Sequence, residues 1–416
     1  MKRSGLRTIR NNWSWHRALL CAAVVLPAAL ATAPASAGTP DQPFQLIGTV
    51  SLPNKQQISA FDISTVDADA GIYAFSDRTN KSVDVFALND NAFVDGKANP
   101  NFPDKISLAF QVPGFRGAFT NHAISGPDGL VIVNHSEIWA GDGDSTVKVI
   151  NIASHQITDI IHTGGNMRAD EGTYDPVDQI VLMANDADTP WPFISFISSV
   201  PNQSGVHKIL GKITFDGGPS VDSDGNPIKL PAATNGIEAS HYNPDTGLIY
   251  LDLPQNGPDQ NIGATVVIDP KTLKLVKVFT ITGCQPTGMG IGPNNEALLG
   301  CSQTNNTAAT NLNAQAISLI TGEKLGTFPI SGNDEVWYNP GDGNYFAAGQ
   351  TMVPTQLGII HANPLKFDED IVTVTNAHSV AADPISNRVF VPLGAGTGNK
   401  ICPDGCIGIY RAKNPT

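Results

Sequence analysis

Acidic and imidazole side chains recur at one position of a repeated pattern in this chain. The pattern is an extended run, a tight turn and a second apolar run, and it occurs seven times. Carboxylates and imidazole bind divalent cations and transfer protons, so these residue types point to metal binding or acid–base chemistry. Aligned on the turn, the first residues of the copies are Asp62, Asn121, Asp170, Glu238, Thr287, Asp334 and His378.

The next position of the same alignment adds His122, Glu171 and Glu335. Carboxylates that lie close together repel one another, and burying unpaired ones is expensive. They therefore need a cation, shared protons or a wide water-filled channel. The residues alone leave two interpretations open, namely solvated acids in a wet channel and a divalent metal site. As acid–base candidates we take Glu171, Glu335 and His122, and as ligand-binding candidates Asp62, Asn121, Asp170, Glu238 and His378.

The ends of the second apolar runs are expected to reach the same place. They contribute Asn134-His135 and Asn185-Asp186. His135 is a further ligand-binding candidate, although an ordinary loop histidine is the more common case for any single His. Glu171, Asn185 and Asp334 have the residue types of a hard-cation site, with Ca²⁺, Zn²⁺ or Mn²⁺ as the candidate ions.

The repeats themselves indicate which elements position these side chains. Each copy predicts two antiparallel strands, a third apolar strand follows each copy, and a fourth follows six of them. Four alternating or apolar strands per unit, joined by Gly, Asn, Asp and Pro turns, are typical of a β-propeller blade. The copies lie at 62–75, 121–133, 170–183, 238–251, 287–300, 334–347 and 378–391.

The predicted fold is therefore all-β, a seven-bladed β-propeller with four-stranded antiparallel blades. The seventh copy has no fourth strand after it, whereas 44–52 form a strand without a blade of its own. We expect this N-terminal strand to complete the last blade and close the ring, because closure leaves no open end. In a propeller the first strand of each blade lines the central channel. The aligned acids and histidines should thus converge on one rim.

The beginning of the chain resembles a secretory leader. A basic stretch precedes an apolar run from Ala18 to Ala33, and Ala35-Ser36-Ala37 forms a cleavage site. We predict a signal peptide at 1–37, a single propeller domain at 38–416 and a periplasmic or secreted location. The leader has five Lys or Arg residues and no acid, so its removal changes the formal net charge from -13 to -18. That charge argues against nucleic acid as a partner. No later run is long and apolar enough for a membrane span.

Four cysteines follow the leader. An even number in an exported chain favours disulfides over a zinc site, and the spacing contains no C-x-x-C pair. Cys284 precedes one strand of a predicted hairpin and Cys301 ends its partner, so these two can meet. Cys402 and Cys406 bracket a tight loop in which a local bridge is plausible.

The repeat resembles that of the YVTN/YncE-like β-propellers over residues 44–412. The resemblance depends on the frame of an apolar alternation, then (D/N/G)-P-x-(D/T/G), then a Val/Leu-rich strand. In the fifth copy it reads QPTGMGIGP from Gln285 to Pro293, whereas the third and sixth copies have Asp-Glu where small residues are expected. The resemblance implies the propeller fold and little about activity, because unrelated activities share it.

Two functions from different classes fit the residues. The first is a monomeric binding or scaffold module that takes a small molecule, a peptide or a divalent cation at the rim. It is supported by the lack of a catalytic motif such as G-x-S-x-G or H-E-x-x-H. The alternative is a metal-dependent lactone or ester hydrolase. That alternative follows a fold-level resemblance to SMP-30/gluconolactonase-like propellers, whose ion is held by Glu, Asn and Asp.

Overall fold

In the part of the chain that the structure describes, seven four-stranded antiparallel sheets are the main elements. The computed structural model describes residues 43–88, 106–302, 313–330, 332–350, 352 and 354–413, together with two short strands, Phe93–Val94 and Lys97–Ala98. The predicted leader at 1–37 lies outside the described residues. We number the sheets as blades 1 to 7 in chain order and name their strands a to d from one edge of the sheet to the other.

The strand bounds, from a to d, are as follows. Blade 1 contains Ser64–Asp67, Ile72–Asp77, Ser82–Ala87 and Ser107–Pro113; blade 2 contains Leu130–Val133, Glu137–Asp142, Thr146–Asn151 and Gln156–His162; blade 3 contains Gly172–Asp175, Ile180–Asn185, Phe193–Ser198 and Ile209–Thr214. Blade 4 contains Ser240–Asn243, Leu248–Leu253, Ile262–Asp269 and Lys274–Thr282; blade 5 contains Gln285–Ile291, Glu296–Ser302, Ala314–Ser318 and Lys324–Phe328. Blade 6 contains Asn333–Asn339, Asn344–Gly349, Gln356–Ala362 and Leu365–Val372; blade 7 contains Ala381–Asp383, Arg388–Leu393, Cys406–Ala412 and Phe44–Val50.

Other regular elements are small. A two-stranded ribbon, Pro219–Val221 with Pro227–Lys229, occupies the long connection between blades 3 and 4, and a second ribbon joins Phe93–Val94 to Lys97–Ala98. Short 3-10 turns occur at Pro53–Lys55, His122–Ile124 and Pro293–Asn295. Among the residues that the structure describes, we find no helix with the length and hydrophobicity needed to cross a bilayer.

The N-terminal strand closes the ring as predicted. It pairs antiparallel with strand c of blade 7, so that Phe44 faces Ala412 and Val50 faces Ile407. Each a strand also contacts the a strands of the blades on both sides, and the contacts return from blade 7 to blade 1. The a strands therefore surround a central channel, and the first residues of each blade meet at one of its mouths.

The hydrophobic core lies between the blades instead of at the centre of the ring. Seven clusters of buried side chains occur, one at each interface between neighbouring blades. Strands b and c are packed on both faces, as in Ile72–Asp77, where every residue is buried. Strands d lie at the outside and alternate, as in Gln156–His162. This difference explains why the sequence shows continuous apolar runs followed by alternating ones.

The predicted register of blade 2 is wrong. The Pro-based alignment assigned 130–133 to the second strand, but Leu130–Val133 is strand a and Glu137–Asp142 is strand b. The hairpin turn contains Asn134 and His135, both in the left-handed region, with φ of 50° and 54°. It needs no proline, because Asn adopts this conformation readily. Pro127 instead precedes strand a and does not mark the turn.

Both predicted disulfides are present. Cys284 bonds to Cys301 at the end of the a–b pair of blade 5, and Cys402 bonds to Cys406 at the start of strand c of blade 7. A smaller difference concerns strand d of blade 6, which we predicted at 370–376. It spans Leu365–Val372, because the chain turns back directly after strand c.

Candidate functional site

Acidic side chains of four blades occupy equivalent positions at one mouth of the channel. In each of these blades the residue two places before strand a donates its backbone N–H to the end of strand b. This shared hydrogen bond places the four side chains at the same level of the ring. The bonds are Asp62 to the Ser76 oxygen (3.0 Å), Asp128 to the Gly141 oxygen (3.0 Å), Asp170 to the Ala184 oxygen (2.8 Å) and Glu238 to the Asp252 oxygen (2.9 Å).

Two arginines are embedded among these acids. Arg78, which follows strand b of blade 1, donates through Nε to Asp128 Oδ1 at 2.9 Å and through Nη2 to Asp62 and Asp128. Arg168, which precedes strand a of blade 3, binds Asp170 Oδ2 at 2.8 Å and Asp186 Oδ2 at 2.7 Å. Neither arginine lies in an aligned repeat, and neither was predicted from the sequence. Together they neutralise part of the acidic ring. Arg78 joins blades 1 and 2, whereas Arg168 bonds two acids of blade 3.

Acids nevertheless exceed cations at this mouth. Asp128 Oδ2 and Asp170 Oδ1 are buried and have no hydrogen-bond partner. Burial, with the nearby charges of Asp62 and Asp186, raises the pKa of Asp170 to about 8 despite its bond to Arg168. Burial and the charges of Asp186 and Asp334 likewise raise the pKa of Glu238 well above its usual value. The mouth can therefore accept additional positive charge.

One group of side chains has the geometry of a cation site. Ligand atoms of Asp62, Asp334 and His378 all lie within 4.8 Å of one another, and His378 Nε2 is 3.6 Å from Asp62 Oδ1. The other ring nitrogen of His378 donates to the Asn376 carbonyl oxygen at 2.8 Å, and the ring stacks on Phe61 at 4.6 Å. This bond fixes the tautomer that keeps Nε2 directed at the acids, as in metal-binding histidines.

The protonation of His378 responds to the same neighbours. Burial opposes the charged imidazolium, but the contact with Asp62 and the charge of Asp334 outweigh it and raise the pKa of His378 above its usual value. Asp62 shows the reverse effect. Burial disfavours its charged form, but Arg78 and His378 lower the pKa of Asp62 below its usual range. Asp62 is thus ionised and available as a ligand at neutral pH.

Two other groups of described residues combine acids or histidine closely enough to hold an ion. The first contains Asp62, Asp128 and Asp170, but the guanidinium of Arg78 already lies between Asp62 and Asp128. The second contains Asp67, Asp69 and His135, where His135 Nδ1 is 2.7 Å from Asp67 Oδ2. Asp69 and His135 are exposed whereas Asp67 is largely buried, and this second group lies at the opposite mouth, on the a–b turns of blades 1 and 2.

The predicted candidates are distributed over three places. Asp62, Asp170, Glu238, Asp334 and His378 meet at the acidic mouth, as the alignment implied. Glu171 and Glu335 lie deeper in the channel, where each is within hydrogen-bonding reach of the other, and burial together with neighbouring acids raises the pKa of both. Among the described Asp, Glu, His and Cys residues, Glu171 belongs to none of the three groups. The metal set of Glu171, Asn185 and Asp334 stays a prediction.

The remaining candidates lie elsewhere because the predicted register of blade 2 is wrong. Asn121 and His122 are exposed, and Asn121 Oδ1 accepts the Ala123 N–H at 3.2 Å at the start of a 3-10 turn. His135 lies in the hairpin turn at the other mouth, and not at the acidic rim. The residue that occupies the ring position in blade 2 is Asp128. An alignment on Asp-Gly before the apolar run, instead of on proline, would have found it.

Asn185 has a supporting position beside the mouth. Its Nδ2 donates to Ser145 Oγ at 3.0 Å and to the carbonyl oxygens of Met167 and Arg168 at 3.3 and 3.2 Å. These bonds fix the segment from which Arg168 reaches Asp170 and Asp186. Asn185 therefore positions an arginine, and its amide nitrogen is fully used.

Comparison with known proteins gives the fold alone. No protein-family model and no curated protein sequence matches the chain, so the YVTN/YncE-like and gluconolactonase-like resemblances remain predictions. Among solved structures, a chain from the crystal structure of a mitotic checkpoint complex is similar, with a TM-score of 0.55 and 12% sequence identity. The match covers 93% of this chain and 98% of that one. At this identity the similarity establishes the β-propeller architecture and does not extend to function.

Proposed function

We propose that the protein is an exported binding module that takes a divalent cation at the acidic mouth of the propeller. The observation on which this depends is the group of Asp62, Asp334 and His378, in which a fixed imidazole nitrogen faces two carboxylates. A mixed nitrogen and oxygen ligand set favours Zn²⁺ or Mn²⁺ over Ca²⁺, which prefers oxygen alone. The two disulfides support an oxidising compartment, periplasmic or secreted.

Direct metal analysis tests this function. Purified protein is analysed for bound metals, stripped with EDTA and titrated with Mn²⁺, Zn²⁺ and Ca²⁺ by calorimetry. We expect one site per chain, with affinity about tenfold or more weaker in His378→Ala and Asp334→Asn because each loses one ligand. His162→Ala is the matched control, since this histidine is exposed on strand d of blade 2. Absence of bound metal, with a melting temperature unchanged by EDTA or metal, would contradict the proposal.

A metal-dependent hydrolase of lactones or esters is the second candidate. Glu238 favours it, because a partly buried carboxyl group with a raised pKa beside the cation site suits general acid–base catalysis. Lactone and ester substrates are assayed with and without Mn²⁺, Zn²⁺ or Ca²⁺. Activity that is lost in Glu238→Gln while the metal is retained would establish the enzyme. Uniform inactivity of the metal-loaded protein leaves the binding module.

A further inference from the structure

The other mouth of the channel opens into a cavity of about 770 Å³. Its walls are the a strands and a–b turns of blades 1, 2, 3, 4, 6 and 7, so it lies at the end of the channel away from the acidic mouth. The volume is within the range of small-molecule sites, roughly 300–1,000 Å³. The cavity is therefore large enough for a ligand that is independent of the proposed cation.

Aromatic side chains form part of the wall. Tyr174, Tyr242, Trp337 and Tyr338 line the cavity, and all four are partly exposed. Tyr174 is held in place by its hydroxyl, which donates to Asn134 Oδ1 at 2.9 Å. Aromatic faces attract both apolar groups and organic cations, because the ring face is electron-rich.

The floor of the cavity is acidic. Glu171 and Glu335 line it, Glu335 is only 9% exposed, and the groups that act most strongly on Glu171 are other acids. Ser240 also lines the cavity, is 2% exposed, and its Oγ has no hydrogen-bond partner. A ligand that reaches this depth thus meets two carboxyl groups and one unused hydroxyl.

The lining supplies no compensating positive charge. Among the residues that the structure describes, the lining contains four acids, Asp67, Asp69, Glu171 and Glu335, and neither Lys nor Arg. The two histidines of the lining add little positive charge. His135 is bound to Asp67 at the rim, and burial lowers the pKa of His241 to about 4, so that its ring is neutral at pH 7. An anionic or strongly hydrated neutral ligand does not suit such a site.

From this combination we infer that the cavity binds a small organic cation, a protonated primary amine on an apolar or aromatic body. The ammonium group reaches the floor and donates to Glu171, Glu335 and Ser240, while the body packs against the tyrosines and Trp337. An ammonium has three N–H donors, and the floor offers three acceptors. A quaternary ammonium could use the aromatic walls but could not donate to the floor.

The test uses three probes of the same size. Phenethylammonium, 2-phenylethanol and phenylacetate are titrated into the full-length protein in EDTA, by calorimetry and by tryptophan fluorescence. We expect one phenethylammonium per chain, with the neutral and anionic probes binding about tenfold or more weakly because they lack the charge-assisted hydrogen bonds. Equal affinity for all three probes, or no binding of phenethylammonium at millimolar concentration, would overturn the inference.

Variants locate the site. Glu171→Gln and Glu335→Gln should each weaken phenethylammonium binding about tenfold, since an amide N–H replaces a carboxyl oxygen that accepts from the ammonium while the shape is kept. Glu323→Gln is the matched control, because Glu323 is exposed beyond strand c of blade 5. Should either floor variant lose its native circular dichroism, Trp337→Leu replaces it, with weaker amine binding again expected. Unchanged affinity in folded floor variants would refute the assignment.

The two mouths are tested separately. His378→Ala removes a ligand from the acidic mouth and should leave phenethylammonium binding unchanged. Glu335→Gln gives the complementary comparison. It should lower amine binding whether or not the chain binds a metal at the acidic mouth. Weakening of amine binding by His378→Ala to the same extent as by Glu335→Gln would contradict a distinct site.

Discussion

Arg78 of blade 1 and Asp128 of blade 2 form a bond in which Nε and Nη2 of the arginine donate to the same carboxylate oxygen, with the Nε bond at 2.9 Å. The side chains are 8% and 0% exposed. Nη2 also binds Asp62, so one guanidinium lies between carboxylates of two blades. The pair therefore holds blades 1 and 2 together and also neutralises acids of the acidic mouth.

Loss of this arginine should be strongly destabilising. Arg78→Met leaves Asp62 and Asp128 buried without their cation, and breaking a buried pair in this way costs about 3–5 kcal/mol. The free energy of unfolding in urea gives the measurement. Lys366→Met is the control, since the Lys366 side chain is 61% exposed in its pair with Asp368, so that solvent screens the lysine charge and its loss should cost about 1 kcal/mol or less. Equal losses in the two variants would show that the buried pair has no special role.

Close packing of blades 2 and 3 predicts a second sensitive position. A Cβ at Gly129 would lie 2.1 Å from the carbonyl oxygen of Asp170. Because this oxygen belongs to the backbone of the neighbouring blade, the clash can be relieved only if the two blades move apart. Gly129→Ala should therefore lower the free energy of unfolding by about 1–3 kcal/mol or more. Gly48→Ala serves as control, because a Cβ there meets nothing within 4 Å. Thermal melts of both variants give the measurement. Equal melting temperatures would count against close packing of blades 2 and 3 at Gly129.

The two disulfides should differ in their contribution to stability. Closing a longer loop removes more entropy from the unfolded chain, and Cys284–Cys301 spans 17 residues whereas Cys402–Cys406 spans 4. Loop-closure entropy predicts a loss of about 3 kcal/mol for Cys284→Ala/Cys301→Ala and about 2 kcal/mol for Cys402→Ala/Cys406→Ala. Urea unfolding of each double variant gives the comparison. A larger loss from the short loop would show that strain or packing, and not chain entropy, dominates.

Stability should fall as the pH rises because of Asp84 in blade 1. Its Oδ1 accepts from Ser82 Oγ at 2.7 Å and Gln111 Nε2 at 3.0 Å, whereas Oδ2 is buried without a partner. Burial, followed by the charge of Asp77, raises the pKa of Asp84 from 3.8 to about 7. The stability that Asp84 contributes is fully present below its pKa in the unfolded chain, and it is lost as the pH rises through its pKa in the folded protein.

The corresponding experiment is urea unfolding across this interval. The wild-type free energy of unfolding should drop by up to about 1.4 kcal/mol per pH unit from this group, and Asp84→Asn should remove that slope while keeping the Oδ1 acceptor. Asp224→Asn, at an exposed turn, should leave the slope unchanged. A slope as steep in Asp84→Asn as in the wild type would assign the pH dependence to other acids.

The fold could be predicted because the strands of every blade must meet the same packing requirements. Strands such as Ile72–Asp77 pack on both faces and need continuous apolar residues, whereas Gln156–His162 has one solvent-exposed face and alternates. The strand without a partner at 44–52 also predicted ring closure correctly. Five ring positions, Asp62, Asp170, Glu238, Asp334 and His378, followed from the same register.

The rest of the site could not be read from the repeat. Asp128 was missed because the turn of blade 2 uses left-handed Asn134 and His135 in place of proline, which displaced the alignment. Arg78 and Arg168 were missed because they lie outside the aligned segments, at the end of one strand and before another. The neutralisation of buried acids by these arginines depends on three-dimensional neighbours, and repeat spacing holds no information about those neighbours.

The closure of the ring has a mechanical consequence. Phe44 at the start of the N-terminal strand faces Ala412 at the end of the C-terminal strand, so a force applied to the two chain ends acts at the same end of this antiparallel pair. The hydrogen bonds between the strands would then break one after another, as in a zipper, instead of sharing the load. Pulled by its ends, the propeller should open at this seam under low force, however well its seven interfaces are packed.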